Sequence, residues 1–175
     1  IVDTAGIPKN DYYLYQSQWL ALDQQPMVHI LPHWNWEIHK SYQQVVDKYG
    51  DIPVRVYSNA GFVELFLNGK SQGRKTFQEK WTSDGRKYQE GEGSDQLYLE
   101  WRLPYQPGEL HAVAYDHQGQ LVAEDRVVTA GKPAKIGLHA EKTKLEPDGQ
   151  DLLYLYFDVL DKDGNWVPSA SNQIH

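Results

Sequence analysis

Short apolar segments with a period of two, separated by turn signals, constrain the fold of this chain more than any other feature. Asn68-Gly69, a strong signal for a tight β-hairpin, follows one of these segments, and Pro107-Gly108 separates two others. Strands of this length and spacing predict an antiparallel β-sandwich of immunoglobulin type, without the cysteine pair of antibody domains. The predicted strands are residues 27–31, 52–57, 62–67, 96–103, 109–115 and 120–129.

Two further regions complete the predicted architecture. Residues 82–95 are polar and rich in glycine, which predicts a long exposed loop. After a Gly/Pro linker at 130–133, only about three strands fit, too few to close a sandwich. We therefore expect the chain to hold only the start of a second β-sandwich. Its predicted strands are 136–145, 152–160 and the end from 167.

One segment has a helical period. Asn10 or Asp11 can cap a helix here by accepting a hydrogen bond from a first-turn amide. A helix this short cannot bury an apolar face alone, so the pattern predicts a partner for that face. The predicted face consists of Tyr12, Tyr15, Trp19 and Leu22.

Composition excludes several classes of function. The 175 residues carry a net charge of −7 with no block of Lys and Arg, which argues against a nucleic-acid partner. The absence of cysteine removes disulfides, thiol catalysis and cysteine-type zinc sites. No glycine-rich phosphate loop and no Gly-x-Ser-x-Gly turn is present, so neither nucleotide binding nor a serine triad has support.

The acidic and histidine residues predict no catalytic pair, metal site or cofactor. Turn or strand patterns account for the carboxylates, and no spacing forces two of them onto one site. His29 and His33 lack a third ligand fixed by spacing. The segment 161–165 resembles the start of a calcium loop, but Asn172 stands where the final glutamate is needed, so we expect a hairpin turn.

The segment from His33 to Trp36 is the candidate binding site. Tryptophan faces stack on sugar rings, and Asn35, His33 and the adjacent Glu37 can form hydrogen bonds with sugar hydroxyls. The alternative is that Trp34 and Trp36 fill a seam between two domains. Both roles are compatible with the sequence.

Several parts of the sequence resemble β-galactosidases of glycoside hydrolase family 2. Residues 3–9 and 11–19 resemble the last strand-to-helix unit of the catalytic (β/α)8 barrel, and residues 27–36 resemble the junction after it. Residues 52–59 and 63–71 resemble the immunoglobulin-like domain that follows. The similarity is greatest to large surface-anchored β-galactosidases of Gram-positive bacteria. The start of the next sandwich is matched at 130–134, 148–149 and 163–168.

The resemblance implies a division of the chain and a role for it. Residues 1–25 would end the catalytic barrel, 26–131 would form the immunoglobulin-like sandwich, and 132–175 would form an incomplete second sandwich. The family's two catalytic glutamates match no residue here, because both motifs lie upstream of Ile1. We therefore expect a non-catalytic C-terminal fragment of a retaining β-galactosidase. The loop at 3–9 and residues His33 to Trp36 would be neighbours of the sugar site.

The implied partners are the upstream barrel or a companion chain, with galactoside bound by the parent enzyme and self-association through exposed apolar faces. We expect an extracellular or cell-surface location, with a cytoplasmic one left open. A rival interpretation is a carbohydrate-binding or adhesion module that uses Trp34, Trp36, Trp81 or the segment 82–95. A second rival is a catalytic subunit completed by another chain that carries the glutamates.

Overall fold

The structure of this chain, a computed structural model, describes residues 1–3, 6–36, 44, 48 and 50–173. In this part of the chain, helix α1 (Asn10–Trp19) and ten strands have defined bounds, and no helix is long and apolar enough to cross a membrane. The strands are β1 (Val28–Leu31), β2 (Ile52–Ser58), β3 (Phe62–Leu67), β4 (Lys70–Trp81), β5 (Lys87–Gly91), β6 (Leu99–Leu103), β7 (Glu109–Tyr115), β8 (Leu121–Val128), β9 (Lys135–Ala140) and β10 (Leu155–Leu160).

Two antiparallel sheets, in the order β1-β2-β6 and β5-β4-β3-β7-β8, form a β-sandwich. The predicted hairpin turn between β3 and β4 is confirmed, because Asn68 and Gly69 have φ values of 52° and 76°. Such positive angles are what a tight hairpin turn requires. The mainly β fold predicted from the sequence is confirmed.

The core lies between the two sheets because apolar side chains alternate inward along the strands. In β2, Val54 and Val56 are fully buried, and in β3, Val63 and Leu65 are as well. Trp34, in the segment after β1, belongs to the same core. The core therefore includes a residue that the sequence pattern placed in a candidate binding site.

The predicted long loop at 82–95 is wrong, because β4 runs to Trp81 and pairs with β5. Trp81 lies opposite Lys87, and the chain reverses in a short turn where Thr82 and Arg86 exchange hydrogen bonds. Most side chains of this ribbon are exposed. A ribbon in which most side chains meet water lacks the apolar alternation on which a strand prediction depends.

The second strand set is a two-stranded antiparallel sheet of β9 and β10, followed by a bridge between Leu160 and Trp166. The strands are shorter than predicted, ending at Ala140 and beginning at Leu155. The predicted hairpin turn at 161–165 is confirmed, since the Asp161 amide donates to the Asn165 carbonyl at 2.9 Å.

Helix α1 packs against β1 and β2, but of its predicted apolar face only Leu22, just beyond the helix, packs against the sandwich core. Ser17 is buried and the ring of Tyr13 stacks on His29, whereas Tyr12, Tyr15 and Trp19 are exposed. We call these three exposed residues the aromatic face of α1. The expected side-chain cap is absent at the start of this helix, because the capping position is Lys9 and forms no such bond.

Asn59 joins the segment after α1 to the sandwich. Its amide nitrogen donates to the carbonyls of Leu20 and Gln25 at 3.1 and 2.9 Å. Its amide oxygen accepts a bond from the Met27 amide at 2.9 Å. One side chain thus fixes the path from the helix into β1.

Candidate functional site

A cleft of about 370 Å³ opens beside His33, and we call it the His33 cleft. It lies where the start of α1, strands β1 and β8, and the turn after β10 meet. Three parts of the sequence that are far apart therefore contribute to one concave surface. The polar and aromatic residues that matter for its chemistry are Asn10, His29, His33, Asp125, Arg126 and Trp166.

Trp34 does not face this cleft. Its side chain is 0% exposed, and its indole nitrogen donates to the Gln106 carbonyl at 2.8 Å. The ring meets Tyr105 edge to face at 5.3 Å. Because the indole is enclosed by the sandwich core, its faces are not available to a sugar, and it acts in packing.

Asn35 is buried and binds the backbone of the linker that follows β8. Its amide nitrogen donates to the Ala130 carbonyl at 3.0 Å, and its amide oxygen accepts from the Ala130 amide at 3.1 Å. The hydroxyl of Thr129 donates to the Trp34 carbonyl at 2.5 Å. This pairing satisfies buried polar groups in the way a strand would, and it fixes residues 34–35 at the base of the cleft.

Trp36 is buried and His33 is half-buried, and their rings stack with centroids 5.4 Å apart. His33 and Asn35 border the cleft, whereas Trp34 and Trp36 do not line it. The four predicted residues are therefore close together, but only part of the set faces the concave surface. Glu37 lies outside the described residues.

The predicted barrel-end loop does not line the His33 cleft in its described part. The Asp3 carboxylate accepts a bond from the Ile7 amide at 2.9 Å, which closes the loop on itself. Val2 pairs with Pro8 in a bridge. From this end of the chain, Asn10 reaches the cleft.

His29 and Asp125 form the wall between α1 and the sandwich. One oxygen of Asp125 accepts from the Ile30 amide at 2.7 Å and lies 3.7 Å from Nδ1 of His29. Burial lowers the pKa of His29, and the nearby Asp125 carboxylate opposes that effect. The imidazole is therefore mainly neutral at neutral pH.

Trp166 is the residue of the cleft that sequence reasoning missed. It is 56% exposed at the edge of the cleft, directly after the turn at 161–165. The only available signal was an aromatic residue following Asp-Gly-Asn in a predicted turn, which is also common in plain hairpins. An exposed indole beside a concave surface is the better platform for a sugar ring.

Asp161 holds this turn against the linker. Its carboxylate, 2% exposed, accepts bonds from the amides of Gly131 at 2.8 Å and of Asn165 at 2.8 Å. These amides, that of Gly131 above all, hold the pKa of the Asp161 carboxyl well below its usual range. The position of Trp166 thus depends on a buried carboxylate that binds backbone amides.

The His33 cleft can bind a polyhydroxylated ligand, since it offers an indole, an imidazole, a guanidinium and an amide. The carboxylates near it already have partners. Asp125 accepts hydrogen bonds from backbone amides, and Glu124 and Glu109 form ion pairs with Arg126. In the described part of the chain, no group of three or more His, Asp or Glu residues is placed to hold a metal ion. The lining of the cleft is therefore suited to binding through hydrogen bonds and ring stacking.

Comparison with known proteins shows that this chain is similar to fragments of glycosidases. A family model described as a domain of unknown function (DUF4982) matches residues 50–123. Beta-galactosidase BoGH2A of Bacteroides ovatus is 39% identical over 100% of this chain and 17% of its own length. A provisionally named β-glucuronidase of Formosa agariphila is 34% identical over 99% of this chain and 14% of its own length.

Comparison with solved structures also finds glycosidases. A β-glycosidase from Bacteroides vulgatus matches 98% of this chain and 19% of its own chain, with a TM-score of 0.76 and 35% identity. The homologues are glycosidases of glycoside hydrolase family 2, and this chain matches a fragment of them. It spans less than a fifth of the length of the curated relatives named above.

Proposed function

We propose that this chain is a non-catalytic C-terminal part of a retaining β-galactosidase that hydrolyses terminal β-D-galactosyl residues. In the parent enzyme it would support the catalytic barrel and form an outer edge of the substrate cleft. The catalytic glutamates would lie on the barrel. The proposed division is residues 1–25 at the end of the barrel, 26–131 in the sandwich and 132–175 in an incomplete second sandwich.

The observation that carries the proposal is the orientation of α1. One side of the helix, where Ser17 is buried, is fixed to the sandwich by the stack of Tyr13 on His29, while the residues of the aromatic face of α1 are exposed. Trp19 is 75% exposed. Because large exposed apolar patches mark interaction sites, the barrel is the natural partner for this face.

The test mixes the purified chain with the upstream barrel and measures hydrolysis of 4-nitrophenyl β-D-galactopyranoside. We expect no turnover by the chain alone, and we expect the chain to raise the turnover and thermal stability of a barrel that carries both glutamates. Activity that appears only on mixing would favour the rival in which this chain completes the catalytic site. The double variant Tyr15→Ser/Trp19→Ser should weaken association, whereas Trp81→Ser, which removes an exposed tryptophan elsewhere, should leave it unchanged. Hydrolysis by the isolated chain, or equal weakening by both variants, would contradict the proposal.

The sugar specificity is a separate part of the proposal. The relative BoGH2A is named a β-galactosidase, whereas the Formosa agariphila relative carries the name of a β-glucuronidase. The higher identity to the first supports the galactosyl assignment. The same assay with 4-nitrophenyl β-D-glucuronide decides between them, and faster cleavage of the glucuronide would overturn the galactosyl assignment.

A second candidate function is a carbohydrate-binding or adhesion module. Trp34 and Trp36 are buried, which leaves the exposed Trp81 of the original set and the exposed Trp166 beside the His33 cleft. Titration of tryptophan fluorescence with lactose tests it. A saturable change that is lost in either Trp166→Ala or Trp81→Ala would favour the module, and the variant that loses the change locates the site. A flat response would leave the support role.

We also propose an extracellular or cell-surface location and a parent similar to surface-anchored enzymes of Gram-positive bacteria. The absence of cysteine is compatible with this location, since the chain needs no oxidative folding, and it is equally compatible with a cytoplasmic one. Fractionation of cells that express the full-length parent, followed by detection with an antibody against this chain, tests it. Recovery in the cytoplasm alone would contradict it.

A further inference from the structure

A second concave surface lies where β4 passes the three-stranded sheet. This cleft of about 800 Å³ is bounded by β4, the segment 91–98 and the outer face of β2 and β6. We call it the cationic cleft, because four basic and two acidic residues line it on a chain whose net charge is −7. One of the four, Arg74, is paired with Glu64 outside the lining at 2.8 Å. The charged residues are Arg55, Arg74, Lys75, Arg102, Glu92 and Glu100.

Two of the cations share one carboxylate. Glu100 accepts a bond from Nε of Arg55 at 3.1 Å and lies 3.0 Å from a terminal nitrogen of Arg102. A single carboxylate cannot neutralise two guanidinium groups, and each guanidinium carries five N–H donors. The two guanidinium groups therefore outnumber the carboxylate that they share.

Three of the four cations are held over aromatic rings. Such contacts are attractive, and they restrict the long side chains to one region before any ligand arrives. Side chains that are already ordered lose less entropy on binding. The contacts are Arg55 over Tyr98 at 4.8 Å, Arg74 over Phe62 at 5.3 Å and Lys75 over Trp101 at 5.5 Å.

Neutral polar side chains complete the lining. Thr76, Ser94 and Gln96 border the same cleft and offer hydroxyl and amide groups. Sugar hydroxyls both donate and accept hydrogen bonds, which is the chemistry that these groups match. A ligand that combines negative charge with many hydroxyls would use both parts of the lining.

We propose that the cationic cleft binds an acidic oligosaccharide through its carboxylate or sulfate groups. Arginine matches planar carboxylates with two parallel hydrogen bonds, and lysine contributes a point charge. The volume falls within the range of small-ligand sites. The choice of a carbohydrate as the ligand rests on the proposed function, whereas the choice of an anion rests on the cleft alone.

Isothermal titration calorimetry of the 175-residue chain tests this proposal. The probes are a hyaluronan oligosaccharide, which carries carboxylates, a sulfated galactan oligosaccharide, and a neutral β-galactan oligosaccharide of equal length. We expect binding of at least one acidic probe and none of the neutral one. The acidic probe that binds identifies the carboxylate or the sulfate as the recognised group.

Matched variants locate the site. Lys75→Gln/Arg102→Gln should weaken binding of the acidic probe by about tenfold or more, because charge-assisted hydrogen bonds are lost. Lys132→Gln/Lys144→Gln removes the same charge at exposed positions outside the cleft and should change affinity little. Lys75→Gln alone, with an unchanged thermal unfolding curve, separates loss of binding from loss of folding.

Three results would overturn the proposal: equal weakening by both double variants, equal binding of the neutral probe, or no binding of either acidic probe at millimolar concentration. None of these depends on hydrolysis by the parent enzyme. A failure of the proposed function in the barrel-mixing assay would therefore be distinguishable from a failure of this cleft.

Discussion

The ring of Tyr13 stacks on the imidazole of His29, with centroids 3.8 Å apart and planes inclined by 21°. This contact joins α1 to β1, and the Asp125 carboxylate lies 3.7 Å from the same imidazole. Asn59 fixes the segment after the helix. The helix is therefore held in one orientation, which turns its aromatic face away from the sandwich.

Replacing Tyr13 should detach the helix, whereas replacing its neighbour Tyr15 should not. Loss of the stacked, half-buried ring in Tyr13→Ala is expected to cost about 1–3 kcal/mol of stability. Tyr15→Ala, on the aromatic face, should stay within about 0.5 kcal/mol in the isolated chain. Urea unfolding with hydrogen exchange of residues 10–19 measures both, and equal effects of the two variants would contradict the assigned orientation.

The same contact predicts a pH dependence. Because burial lowers the pKa of His29, the unfolded chain binds a proton more readily than the folded chain. The stability from neutral His29 should be present above the ordinary histidine pKa of about 6.5 and decrease as the pH falls below it. Melting temperatures measured down to about pH 5.5 should decrease more for the native chain than for His29→Gln.

His117→Gln is the control for this pH dependence, since His117 is exposed. Its melting temperatures should follow those of the native chain. If His29→Gln and His117→Gln change the pH dependence equally, the effect belongs to histidines in general and the assignment to His29 is wrong.

The β-sandwich could be predicted because its strands each bury one face. Val54 and Val56 alternate with outward residues, and Asn68-Gly69 marks the hairpin by backbone geometry alone. The β4–β5 ribbon was missed because most of its side chains are in water, which removes the alternation. Strand pairing there is set by backbone bonds and by diagonal ion pairs between the strands, such as Lys80 with Glu90, which no local pattern reveals.

The candidate site could be predicted only in part, for a similar reason. Trp34 and Trp166 look alike in sequence, yet one is enclosed by the core and the other lies exposed at a cleft. Which of them is buried depends on contacts with Tyr105 and the linker, far away along the chain. A tryptophan in the sequence therefore indicates a large apolar side chain, but it does not indicate whether that side chain packs in the core or lies exposed at a cleft.

Replacing Asn35 should lower the stability of the fold more than replacing an exposed polar residue would. In Asn35→Asp the side chain keeps its shape but can no longer donate to the Ala130 carbonyl, and a charge is buried. Loss of a buried hydrogen bond with an unsatisfied partner costs about 1–3 kcal/mol, and a buried charge adds to this. Chemical unfolding of Asn35→Asp should show this loss, whereas Asn172→Asp, at an exposed position, should be neutral. A neutral Asn35→Asp would mean that the linker contact is dispensable.

The sheet of β9 and β10 presents an apolar face that should drive self-association of the isolated chain. Leu138 and Phe157 are paired across the two strands and are 67% and 60% exposed. A two-stranded sheet is marginal alone, and exposed apolar patches of this kind promote association. Leu138→Lys should therefore shift the chain towards monomer in sedimentation velocity experiments. His139→Lys places a similar charge on the opposite face, next to Asp158, and should leave the association unchanged. A native chain that stays monomeric at high concentration would show that this face needs no partner.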